Sequence, residues 1–146
     1  MLLLVLIRAV FGLALASGLW AVAWMTSRLL FPPSSFGSPS FTAFSALWTG
    51  GFAGAATAVA WWKGDMSVRE TVLYFAGTLL VALLCSWIVW HVVQGAMHFE
   101  WVMGVGTVPV AYQSEMLPPR MGFTVVTTNV VAGVFYLIRS LRRSEV

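Results

Sequence analysis

His91, Gln94 and His98 stand three and seven positions apart, so a helix would gather all three side chains on one face. Histidines at membrane depth can bind haem, ligate metal ions or relay protons. Geometry narrows those options. Seven residues rise about 10.5 Å, too far for both imidazoles to hold one metal ion. Two rings on the same face cannot grip one haem from opposite sides, and the chain has no third histidine. A haem or quinone shared with another subunit is the redox chemistry that remains. The plainer expectation is an interfacial polar stripe in contact with a partner or ligand, with Trp87 one turn earlier on the same face.

Asn129 is the next polar group in an apolar setting, with Thr127 and Thr128 beside it and Thr124 one turn earlier. An amide at that depth should find a hydrogen-bond partner on another helix, a contact typically worth about 0.6 kcal/mol and up to about 2. If a pathway crossed this protein, Asn129 would be the first residue to line it. Arg8 is the charge most deeply set in an apolar run. A central arginine costs about 2.5–3.5 kcal/mol on insertion scales. With only seven residues before it, its long side chain can reach the headgroups, so a membrane anchor is expected.

A third set is made of small residues. Gly50-x-x-x-Gly54, Gly51-x-x-x-Ala55 and Gly54-x-x-x-Ala58 overlap in one stretch. Small residues let a second helix backbone approach closely, which is the packing that lipid tails do not replace. The helix that carries them should be the most buried, against a helix of the same chain or of a partner.

Known catalytic signatures are missing. The sequence contains no Gly-x-Ser-x-Gly, Walker loop or His-Glu-x-x-His, and none of its five acidic residues falls mid-span. The single cysteine, Cys85, allows no internal disulfide and no zinc cluster. No enzymatic activity, cofactor or resident metal is expected.

The elements that position these residues follow from composition. Of 146 residues, 60% are hydrophobic and only 9% charged, and the mean hydropathy is +0.88. Soluble domains carry about 25% charged residues. Such a chain is an integral membrane protein. Its net charge of +3 is spread along the sequence and forms no nucleic-acid patch.

A hydrocarbon core of about 30 Å needs roughly 20 apolar residues per helix. Four stretches meet that need, at about 2–27, 41–62, 71–94 and 121–138. Backbone groups find no water in lipid, so each should be an α-helix. The expected fold is a single all-α transmembrane domain, a small four-helix bundle. Residues 63–70 form a charged hairpin, and 28–40 and 99–120 form outer loops, the second irregular and rich in glycine and proline. Residues 101–112 are expected to fold back over the helix ends without crossing.

Basic residues set the orientation. Lys63, Arg69, Arg139, Arg142 and Arg143 fall on one side, against Arg28 and Arg120 on the other. By the positive-inside rule the hairpin and both termini are cytoplasmic, as in a bacterial inner-membrane protein. Ala14-Leu15-Ala16 loosely matches a signal-peptidase site, but Arg8 leaves too short an apolar run after it, so a retained helix is expected. Trp20, Trp24, Trp87 and Trp90 fall near outer helix ends, and Trp61 and Trp62 near an inner one.

Three functions fit. The first is a non-catalytic accessory or assembly subunit that acts through lipid and helix contacts, with a partner subunit or a second copy. The alternatives are a small oligomeric channel or transporter, and a haem- or quinone-associated anchor of a redox complex.

Overall fold

Proline and serine punctuate the chain where its apolar runs stop, and each stop can be traced to backbone chemistry. The computed structural model describes residues 1–35, 38–96, 100–102, 106–108 and 117–144. Helix α1 spans Leu2–Leu30 and ends at Phe31, which is extended (φ −121°, ψ 143°) because it precedes Pro32. A single 3₁₀ turn, Pro33–Ser35, follows. Helix α2, Pro39–Trp61, opens with Ser38 as N-cap, whose hydroxyl accepts from the Phe41 amide at 3.2 Å. Pro39 occupies the first helical position, where a missing N–H costs nothing.

Helix α3 covers Val68–Ala96 and begins three residues before the expected span. The cause is a reciprocal cap. The Glu70 amide donates to the Ser67 hydroxyl (3.2 Å), and the Ser67 amide donates to the Glu70 carboxylate (2.9 Å). Two three-residue strands, β1 (Glu100–Val102) and β2 (Gly106–Val108), pair antiparallel after α3. Most of the expected fold-back at 101–112 lies outside the described residues. Helix α4, Leu117–Ser144, takes Pro118 and Pro119 in its first turn and runs six residues past the expected end at 138.

All four helices are long and apolar enough to cross a membrane. The described residues therefore form a helical bundle with four potential transmembrane helices, compatible with a multi-pass membrane protein. At 29 residues, α1 and α3 each rise about 43 Å against a core of about 30 Å, so they tilt or project beyond it.

Helix α2 touches each of the other three and is the most enclosed. Its most apolar stretch is 56% buried, against 11%, 22% and 39% for α1, α3 and α4. The small-residue pattern accounts for much of this. A Cβ on Gly50 would lie 2.7 Å from the Ser86 Cβ, and one on Gly54 would lie 2.7 Å from the Ala82 Cβ. Ala58 is buried on the same stripe.

The Gly51 and Ala55 register lies outside the α2–α3 seam. Ala55 is exposed, and a Cβ on Gly51 would meet only Leu83 at 4.0 Å. Adjacent helical positions are about 100° apart, so the 51/55 stripe turns away when 50, 54 and 58 face α3.

Helix α1 contributes an equally regular inner stripe of Gly12, Ala16, Trp20, Ala23 and Ser27. Trp20 and Trp90 are each only 2% exposed, inside the bundle rather than at its lipid-facing edge.

Candidate functional site

The middle of the bundle is held by one amide. Asn129 on α4 donates through Nδ2 to the Val125 carbonyl (2.9 Å) and to Thr57 Oγ1 on α2 (3.3 Å). Its Oδ1 accepts from the Trp61 indole at 3.1 Å. Thr57 turns its own proton to the Ala53 carbonyl (2.8 Å), which leaves its lone pairs for the amide. Glycine makes room on both sides. A Cβ on Gly12 would overlap Asn129 Oδ1, and one on Gly133 would sit 3.2 Å from the Trp61 ring. Helices α1, α2 and α4 thus meet around Asn129, which is 4% exposed. Its polar atoms are spent inside the bundle.

Hydroxyls further along stitch α2 to α3 on one side and to α1 on the other. Ser86 donates to the Ala46 carbonyl at 2.6 Å and lies 3.4 Å from Thr49 Oγ1. Ser45 donates to Ser27 at 3.4 Å, and Ser27 donates to the Trp24 carbonyl at 2.7 Å. Trp48 adds a bond from its indole to Thr26 (3.0 Å). Because each hydroxyl has a partner, the burial of Ser27, Ser45, Thr49 and Ser86 leaves no orphan there.

Charge gathers at the end that holds the 62–67 connection. Arg8 donates through Nη1 to the carbonyls of Ala60 (3.2 Å) and Trp62 (2.7 Å), at the C-terminal end of α2. Those carbonyls have no helical partner of their own, and the negative end of the helix dipole favours a cation there. The Arg8 guanidinium also lies 5.1 Å from the Tyr136 ring, with Lys63 at 4.6 Å from the same ring. Arg8 therefore clamps α1 to α2 and α4 at the helix ends.

Beside this clamp, Asp65 pairs with Arg139 (3.1 Å) and Arg143, and Glu70 pairs with Arg139 (3.4 Å). Desolvation pushes the Asp65 pKa up, but the Arg139 hydrogen bond and the charges of Arg139, Arg143 and Lys63 outweigh it. The carboxyl is held below its ordinary value. These pairs tie the connection to the last turns of α4 and explain why α4 outlasts its apolar run.

A groove of about 550 Å³ opens between α3 and α4 at the same end. Leu73, Val81, Val131 and Phe135 are among its walls, and Arg139, Arg142 and Arg143 stand at its charged mouth. Asp65 and Glu70 occupy Arg139 and Arg143, whereas Arg142 is exposed and makes no ion pair among the described residues.

The histidine stripe is only partly in view. His91 is exposed, with its ring 4.3 Å from that of Trp87. Gln94 belongs to α3, and His98 lies outside the described residues. Among the described residues, no three His, Cys, Asp or Glu side chains gather as a metal-holding group.

Two features escape a reading by hydropathy. One is the pairing of Arg8 with carbonyls more than fifty residues away. The other is Arg120, which hydropathy places in the outer loop and which the structure buries in the first turn of α4, 5% exposed. The proline pair ahead of it was the available signal, since Pro118-Pro119 suits a helix start as well as a loop. No family model, curated protein or solved structure matches the chain.

Proposed function

We propose that this protein is a non-catalytic accessory or assembly subunit of a bacterial inner membrane, working through lipid and helix contacts, with the 62–67 connection and both termini in the cytoplasm. The observation that carries this reading is the groove between α3 and α4. Its volume falls within the range of about 300–1,000 Å³ usual for ligand pockets, its walls are apolar, and its mouth is basic. An anionic phospholipid matches it, with acyl chain against Leu73, Val81 and Phe135 and phosphate at Arg142. The channel alternative loses its main polar residue, because Asn129 is engaged by Thr57, Val125 and Trp61.

Native mass spectrometry of the tagged chain, extracted mildly from its own membrane, tests the proposal. The expected result is a stoichiometric second chain or a second copy, together with retained phosphatidylglycerol. Arg142→Gln should weaken that retention by about 1 kcal/mol, the usual contribution of one basic residue near an anionic surface. A bare monomer that retains phosphatidylcholine as readily as phosphatidylglycerol would overturn it.

A further inference from the structure

The end of the bundle opposite the charged connection has the reverse problem from its middle: donors without acceptors. Arg120 lies with its guanidinium carbon 4.0 Å from the centroid of the Trp90 ring. Stacking on the indole face uses no N–H, and both Nε and Nη1 of Arg120 lack a hydrogen-bond partner. The indole N–H groups of Trp90 and Trp20 and the hydroxyl of Thr124, one turn after Arg120, are likewise buried without a partner. These four side chains are 5%, 2%, 2% and 0% exposed.

One body of side chains connects them. Trp24 packs against the cluster that contains Trp90 and also against the cluster that contains Trp20, where Met121 joins it from α4. A second cation approaches here, with the Arg28 guanidinium 4.5 Å from the Trp24 ring.

The chemistry of the set is one-sided. Arginine and tryptophan side chains only donate, and a threonine hydroxyl can donate as well. Each buried donor left unpaired costs about 1–3 kcal/mol, and more when charged. A buried cation is tolerated when it is paired. No ion pair to Arg120 exists among the described residues.

We propose that Trp20, Trp90, Arg120 and Thr124 form a binding site for the oxyanion of a carboxylate or phosphate that enters from the outer end of the bundle. Such a group accepts on every oxygen and supplies the missing negative charge. The flat indole and guanidinium faces leave their N–H edges to define where it sits. The site is independent of the lipid groove, which opens at the other end between different residues.

The test uses the full chain in phosphatidylcholine nanodiscs, with tryptophan fluorescence and melting temperature read during titration with inorganic phosphate and with acetate. A second set of nanodiscs contains phosphatidylglycerol. A saturable response to phosphate or acetate supports a soluble oxyanion. A response seen only on adding phosphatidylglycerol supports a lipid headgroup. In either case Arg120→Gln should weaken binding at least about tenfold, the loss of one charge-assisted contact. Thr124→Val preserves shape and should weaken it less, while Arg69→Gln, exposed at the far end and outside the lipid groove, should leave it unchanged. No response in either nanodisc, or equal responses in wild type and Arg120→Gln, would overturn the proposal. So would a drop in melting temperature for Glu100→Gln or Glu115→Gln that disappears in the Arg120→Gln background, because the chain would then supply the carboxylate itself.

Discussion

Replacing Gly12 with alanine is expected to destabilise the bundle by about 1–3 kcal/mol, the usual cost of forcing an extra carbon into a filled interior. The new Cβ would overlap Asn129 Oδ1 and stand 3.2 Å from the Trp61 indole nitrogen. Either α1 moves away, or the amide turns and gives up the Trp61 hydrogen bond. Asn129→Ala in the same chain removes the obstructing atoms, so the double variant should lose less than the sum of the two single losses. Equilibrium unfolding in mixed detergent, run as a double-mutant cycle, measures that coupling. Strict additivity would show that Gly12 and Asn129 do not meet. Gly18 provides the control, because nothing lies within 4 Å of a Cβ there and alanine should be neutral or mildly stabilising.

Gly54→Leu is expected to do at least as much damage at the α2–α3 seam. Its Cβ would lie 2.7 Å from the Ala82 Cβ and 3.2 Å from the Leu79 Cα. A backbone carbon cannot step aside as a flexible side chain can, so the two helices must separate. Separation also strains the Ser86 bond to the Ala46 carbonyl two turns away. The expected outcome is loss of the monodisperse peak in size-exclusion chromatography, together with faster proteolysis at the 62–67 connection. Gly18→Leu on the open face of α1 should leave both unchanged, since nothing lies within 4 Å of that position.

The number of helices was legible from hydropathy because lipid enforces length and forbids exposed backbone. Which side of each helix faces inward was much harder to read. Lipid is as apolar as a protein core, so an interior Ala23 and an outward-facing Val22 both read as apolar on a hydropathy scale. Small and hydroxylated residues carried the missing information. Gly50 and Gly54 lie against α3, and the same logic applied to Gly12, Ala16, Ala23 and Ser27 points to the inner face of α1. Ala55 lies outside the α2–α3 seam, since neighbouring small-xxx-small patterns cannot all face one helix. The partners of Arg8 and the burial of Arg120 depend on contacts made between helices, and no local spacing encodes those. The Ser67–Glu70 cap was local and plain in the sequence, and it sets the start of α3.

The arrangement of four crossings is the claim on which the rest depends, and cysteine accessibility tests it most directly. With Cys85 replaced by alanine, single cysteines at Ser35, Ser67 and Ser144 are treated with a membrane-impermeant maleimide in sealed vesicles of each orientation. The account predicts that Ser67→Cys and Ser144→Cys react only from the cytoplasmic side and Ser35→Cys only from the other. Labelling of Ser35→Cys and Ser67→Cys from the same side would contradict it.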